Sequence, residues 1–248
     1  AVAVLAAAAA IAFPLAAHFS ALDSKNLHAM TPPRAASPTP APVSMLDVGR
    51  SALTRVVTVE TDKTAQEALG TAWLFDDKGD FVTNAHVVAG ALSVRITDRS
   101  ANTYVAQVIG SDDTSDIAVL RVAGGFAAQP FAARTSALTP LPLPVVDVAS
   151  SRATGHDDLT VTSLTQTGQD VPLRPGEVPA DGSSPTVYHD MLVLSGARVY
   201  MGNSGGPVLD AGGQVVGILT LASPDQPDAF AIPISKVIGE LRQYAGSG

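Results

Sequence analysis

From about Met45 the chain is a series of short apolar runs broken by turn residues. Ala52–Glu60 has the β-branched content of a strand. Thr71–Phe75 and Phe81–Val88 flank Asp76-Asp77-Lys78-Gly79-Asp80, a turn cluster that predicts a hairpin. Leu92–Thr97, Tyr104–Ile109 and Ile117–Val122 follow at close spacing. Beyond an Ala/Pro-rich connection come Leu159–Gln166, Val187–Leu194, Pro207–Leu209, Gln214–Leu221 and Phe230–Ile234, with Ala211-Gly212-Gly213 as a turn between two of them. Asp170 to Pro185 reads as a Pro/Gly loop too long for a tight turn. Only one segment has helical periodicity: Ile234, Val237, Ile238, Leu241 and Tyr244 share a face, with Ser235 as its expected cap. Many short strands and one terminal helix predict an all-β sandwich or pair of barrels rather than βαβ units.

The first 44 residues are of another kind. Ala1 to Leu22 carry no formal charge and are mostly aliphatic. At ~1.5 Å per residue such a helix would cross a ~30 Å hydrocarbon core, and Pro14 would be tolerated there. A transmembrane anchor, the remains of a signal peptide and an Ala-rich buried helix all fit. The length of the run favours the anchor, because a signal-peptide core is usually ~7–15 residues. Residues 23–44 read as a linker; Thr31 to Ser44 holds five prolines and would extend roughly 40 Å as a polyproline-like spacer. The expected plan is anchor (1–22), linker (23–44) and globular domain (45–248), the last divided into 45–130 and 131–248.

Composition narrows the function classes. The 248 residues carry a formal net charge of −8 with only 15% charged residues, and Lys and Arg never cluster, which argues against a nucleic-acid partner. There is no cysteine, so thiol nucleophiles, disulfides and Cys-based metal sites are excluded. His156-Asp157-Asp158 is read as a solvated loop, since three adjacent residues do not converge on one ion. Asp76–Asp80 lacks the later Glu of a calcium loop. No metal or cofactor is expected.

The chemistry concentrates in Gly202-Asn203-Ser204-Gly205-Gly206-Pro207. A serine between glycines has an exposed hydroxyl and free backbone N–H groups, but it needs a base and an acid to orient that base. Upstream, His86 sits in Thr83-Asn84-Ala85-His86-Val87-Val88 at the end of an apolar strand, and Asp116 opens the run Ile117–Val122. In that order Ser204 is the nucleophile, His86 the proton carrier and Asp116 the residue that fixes its tautomer. The backbone around Gly202, Asn203 and Ser204 is the candidate oxyanion hole, with Gly202 and Ser204 donating. The same letters fit the G-x-S-x-G elbow of α/β-hydrolases, whose histidine follows the serine; here all five histidines precede Ser204.

The stretches GTAWLFDDKGDFVTNAHVVAGA, DDTSDIAVLRV, GNSGGPVLDAGGQVVGILT and AFAIPISKVI closely resemble trypsin-like serine proteases of the bacterial HtrA/Deg type, over roughly residues 66–122 and 196–242. The resemblance implies two six-stranded antiparallel β-barrels with a C-terminal helix. His86 and Asp116 would come from the first barrel and Ser204 from the second, with the site in the cleft between. It also implies that Thr220 lies beside the buried aspartate and begins the strand, with Leu221 and Ala222, that pairs with the substrate backbone. Asn203 stands where secreted digestive proteases carry an aspartate paired by a newly cut N-terminus, so activation by that ion pair is not expected.

Two departures from the family pattern stand out. PDZ modules, which usually follow this domain, have no counterpart before Gly248. The segment from Ala133 to Val193 lacks the usual Gly-Pro-x-Gly turn. Arg198 falls near the base of the specificity pocket by alignment, where it would select an acidic residue, pair with Asp228 or face solvent. The leading expectation is a membrane-anchored, extracytoplasmic serine endopeptidase acting on proteins or peptides. A trypsin-fold scaffold subunit of an envelope complex, or a latent protease awaiting a partner, are the alternatives.

Overall fold

The apolar runs are continuous because the two faces of the same strand enter different cores. In a computed structural model, which describes residues 44–62, 67–155, 159–174 and 185–246, twelve strands are named. The first six, β1 (Val56–Asp62), β2 (Glu67–Leu74), β3 (Asp80–Thr83), β4 (Ser93–Thr97), β5 (Thr103–Asp112) and β6 (Ile117–Val122), close into a barrel in the order β1-β2-β3-β6-β5-β4. The rest, β7 (Leu143–Val148), β8 (Leu159–Pro172), β9 (Val187–Ser195), β10 (Pro207–Leu209), β11 (Val215–Ala222) and β12 (Asp228–Pro233), close as β10-β11-β12-β9-β8-β7. All their strand pairings are antiparallel.

Along β6, Ala118, Leu120 and Val122 fill the first barrel, whereas Ile117 and Val119 face a cluster shared with the second. β11 does the same, with Val216 and Leu219 inside the second barrel and Val215 and Ile218 in the shared cluster. With side chains alternating at a period of two, a strand buried on both faces loses the polar half of its pattern. At the centre of the shared cluster is Trp73, fully buried, edge-on to Phe75 and Phe131 at 5.9 Å each.

A C-terminal helix, α4 (Ile234–Gly246), packs Ile234, Val237 and Leu241 into the same shared cluster. Its last turn is held by the first barrel: Lys78 Nζ and Arg121 Nη2 donate to Ala245 O at 3.0 and 2.9 Å. Cations at a helix C-terminus satisfy carbonyls that lack partners within the helix. Arg121 also makes a two-pronged pair with the fully buried Asp80, at 2.6 and 2.7 Å.

Several expected elements are corrected. Ala52–Arg55 is not strand: a helix, α1 (Met45–Ala52), and a tight turn over Leu53–Arg55 precede β1. That helix buries Val48, Gly49 and Ala52, and Gly49 comes so close to Leu159 that a Cβ would sit 2.7 Å from it. The strand expected over Phe81–Val88 stops at Thr83, because a helical turn, α2 (Ala85–Val88), begins after Asn84. β7 lies in the stretch read as a connection, masked by Pro144. Proline is tolerated there because β10 pairs with β7 only at Val146 and Asp147. Asp170–Pro172 continue β8 instead of opening a loop, and α4 starts at Ile234, so Ser235 lies inside its first turn. The hairpin at Asp76–Asp80 and the turn before β11 form as expected, closed by Phe75 N to Asp80 O and Asp210 N to Gln214 O. The anchor segment 1–22, the linker through residue 43 and His156–Asp158 lie outside the described residues. Among those described, no helix is long and apolar enough to cross a membrane.

Candidate active site

Asp116 is placed by a turn built on a neighbouring carboxylate. Asp112 accepts from the N–H groups of Thr114 and Ser115 and from the Ser115 hydroxyl. The chain then enters Asp116 in the left-handed region (φ +53°), a conformation aspartate tolerates better than most residues. That pose buries the Asp116 carboxylate and turns it onto α2. The His86 backbone N–H donates to Oδ1 at 3.0 Å, and His86 Nδ1 lies 3.0 and 2.9 Å from the two oxygens. Nδ1 therefore carries the proton and Nε2 is the basic nitrogen. The carboxylate is 1% exposed and the imidazole 42%, so the acid is sequestered while the ring stays open to a substrate.

Asn84, just before α2, was not singled out from sequence, yet it ties this pair to the second barrel. Its side-chain N–H group donates to Asp116 O at 2.9 Å and to Thr220 Oγ1 at 3.0 Å. Thr220 is buried at a bulge in β11. Its contact with the aspartate is thus relayed through Asn84. The polar identity of Asn84 between two apolar stretches was the available signal.

Ser204 sits in the loop between β9 and β10. Ser204 Oγ donates to Thr220 O at 3.3 Å, and Ser204 O accepts from Thr71 N at 2.9 Å. The N–H groups of Asn203 and Gly206 are used within the loop, donating to Tyr200 O and Asn203 O, and that of Gly205 donates to Leu219 O on β11. Those of Gly202 and Ser204 have no such acceptor among the described residues. Asn203 accordingly serves the loop through its side chain rather than as an oxyanion donor. Its Oδ1 accepts from Tyr200 N at 2.9 Å and its Nδ2 donates to Asp147 Oδ2 at 2.7 Å. Two glycines are required by geometry: Gly202 (φ +97°) would put a Cβ 2.5 Å from Ala153 O, and Gly205 (φ +87°) would put one against Thr71 O.

The remaining expected residues are placed as follows. Arg198 is exposed, makes no ion pair with Asp228 among the described residues, and lends its carbonyl to Thr160 Oγ1 at 3.1 Å. Leu221 is half-buried and Ala222 exposed at the end of β11. Strand β10 pairs with β11 only up to Ile218, so no strand of the described residues covers that edge beyond it. Asp76 accepts from Lys78 N and Asp80 N while Asp80 is committed to Arg121, so two of the three carboxylates of that turn are engaged.

Residues 70–218 match the family model described as a trypsin-like peptidase domain. The chain belongs to this family. A relative from Arabidopsis thaliana, "Protease Do-like 1, chloroplastic", is 30% identical over 188 residues, covering 72% of this chain and 40% of the relative. "Magnetosome formation protease MamE" of Paramagnetospirillum magneticum is 32% identical over 177 residues, 67% of this chain and 22% of the relative. The chain thus spans less than half the length of these curated relatives. Among solved structures, the Rv3671c protease of M. tuberculosis in its active form is 25% identical with a TM-score of 0.68, covering 84% of this chain and 88% of that one. Its inactive form scores 0.67, so overall shape does not separate the two states. A solved HtrA-type protease, AlgWS227A with tripeptide, is 27% identical with a TM-score of 0.66 over 81% of this chain and 63% of that one, so the peptidase domain is of the HtrA type by both sequence and fold.

Proposed function

We propose that this peptidase domain is a serine endopeptidase. Ser204 Oγ attacks the substrate carbonyl carbon while His86 Nε2 takes its proton. The C–N bond then breaks as His86 returns that proton to the leaving amine, and water releases the acyl group by the same route. Asp116 holds the imidazole, and the N–H groups of Gly202 and Ser204 stabilise the oxyanion, each such donor being worth ~10²–10³ in rate. The uncovered edge of β11 at Leu221 and Ala222 offers backbone pairing to an extended peptide. The observation that carries this reading is His86 Nδ1 held 2.9–3.0 Å from both oxygens of a buried carboxylate, with Asn84 linking that carboxylate's residue to the Ser204 side.

On this reading residues 1–22 anchor the chain in a membrane, 23–44 form a stalk and the barrels, 45–130 and 131–248, work outside the cytoplasm. A fluorophosphonate probe should label the chain and fail on Ser204→Ala; an unlabelled wild type refutes the assignment. Fractionation tests the anchor, since the full chain should remain with membranes after high-salt washing.

A further inference from the structure

We propose that Asp147 is a positioning residue for the nucleophile loop: its carboxylate, acting through Asn203, sets the backbone from Tyr200 to Ser204 and couples turnover to its own ionisation. The proposal rests on the peptidase reading of Ser204.

Asp147 lies on β7 opposite Val208, the residue four places beyond the nucleophile, and is fully buried. It shares a face of β7 with Val145, which points into the second barrel's apolar core. A carboxylate there needs a partner to hold a charge, and Asn203 Nδ2 at 2.7 Å is the one side chain that reaches it; Oδ1 has no partner among the described residues. Asn203 is adjacent to Ser204 and makes two further bonds to Tyr200, one from its backbone N–H and one to its Oδ1. Among the described residues the amide is therefore the side-chain bridge from Asp147 to the turn that presents Gly202 and Ser204.

Ionisation decides how firmly that amide is held. A carboxylate only accepts, so it takes the NH₂ end of Asn203 and leaves Oδ1 for the Tyr200 N–H. A protonated acid accepts as a neutral group, so the bond to Nδ2 loses its charge-assisted strength and the turn it braces is loosened. Burial pushes the Asp147 carboxyl up to about 7, partly opposed by hydrogen bonds from Asn203 and the Val148 backbone N–H, which places the change near neutral pH.

No other charge dictates this titration. Helix α1 packs on β7 with Asp47 and Arg50, paired with each other at 2.8 Å. β10 leads into Asp210, paired with Arg134 at 3.0 Å, and β8 carries Asp170 beside His189 at 3.1 Å. None of their charges contributes to the Asp147 shift.

The test is the pH dependence of kcat/KM on a quenched fluorescent peptide mixture, with the full chain as wild type, Asp147→Asn, Asn203→Ala and the double variant. Asp147 adds one inhibiting proton in the wild type, so at the acid end activity should fall about 10-fold more steeply per pH unit than in Asp147→Asn. The double variant should lose no more than Asn203→Ala alone, because Asp147 acts through that amide. An acid limb as steep in Asp147→Asn as in the wild type, or additive losses, overturns the proposal.

A second measurement is independent of turnover. In a His86→Ala background the ¹⁵N shifts of the Gly202 and Ser204 amides should follow a single ionisation near neutral pH, abolished by Asp147→Asn. Amides that do not respond overturn the coupling. Amides that respond in a wild-type chain that neither cuts peptides nor takes up the probe would refute the peptidase reading instead.

Discussion

Replacing Asp147 by Asn should remove a loss of stability that grows with pH, and the size of the effect follows from the burial of the carboxylate. In the unfolded chain this carboxyl has its ordinary value of 3.8; in the folded chain it lies at about 7. Between those values the folded state binds the extra proton, so the slope of unfolding free energy with pH is negative. The favourable term is fully present below pH 3.8 and is lost as pH rises through about 7. About three pH units at 1.36 kcal/mol each give about 4 kcal/mol, a large part of the ~5–15 kcal/mol available to a domain. Asn keeps the shape and a carbonyl acceptor for Asn203 but does not ionise. The assay is urea unfolding of the wild-type and Asp147→Asn chains in parallel from pH 4 to pH 8. All other titrating groups cancel in the difference between the two. The variant should gain on the wild type by about 4 kcal/mol across that range, with the midpoint of the gain between pH 5 and 7. A difference that stays flat, or that moves the other way, would refute the claim that a buried carboxylate is forced to ionise there.

Three further outcomes follow from the same geometry. Asn84→Ala removes both the Asp116 O and the Thr220 Oγ1 contacts. It should cost about 1–3 kcal/mol in thermal unfolding and lower kcat far more than it raises KM, and an unchanged kcat would show that the link between the barrels is idle. Trp73→Ala empties the centre of the shared cluster and should cost about 3–5 kcal/mol by urea unfolding, with loss of both barrels in one transition; separate transitions would argue that the barrels fold independently. Gly202→Ala drives a Cβ to 2.5 Å from Ala153 O at a left-handed position. It should abolish fluorophosphonate labelling while leaving far-UV circular dichroism intact, and a fully labelled variant would mean that the Gly202 N–H is not required.

The architecture was legible because its signals are local. Apolar runs bounded by Gly/Asp turns place most strands within a few residues, and Ile117–Val122 coincides with β6. The failures have one physical cause each. Pro144 reads as a strand breaker, but it stands where β7 has no β10 partner, so its missing N–H is not needed. Ala85–Val88 reads as strand because it is apolar, yet Asn84 ends β3 and the chain turns into a helix that presents His86 to Asp116. α1 fills the gap between the expected linker and the expected first strand, since eight residues give too little periodicity to outweigh the β-branched run after them. Side-chain relays such as Asn84 to Thr220 span 136 positions and leave no trace in spacing.

The substitution that looked like a loss becomes the most informative position in the site. Where an aspartate would call for a cation to hold the nucleophile loop, Asn203 needs an acceptor on one side and a donor on the other. Tyr200 N–H supplies the donor, and Asp147, 56 residues upstream, supplies the acceptor. The charge has not been removed from the loop's support; it has moved to the opposite member of the pair and into the barrel wall. That exchange has a physical consequence. An activating ion pair is favourable in both partners' charged forms, whereas a lone buried carboxylate is held against its own desolvation. The fold is most stable with Asp147 protonated, and the loop is most firmly set with it ionised. A chain built this way gives up stability at the pH where its nucleophile loop is ordered, which is the opposite of a zymogen's gain on activation.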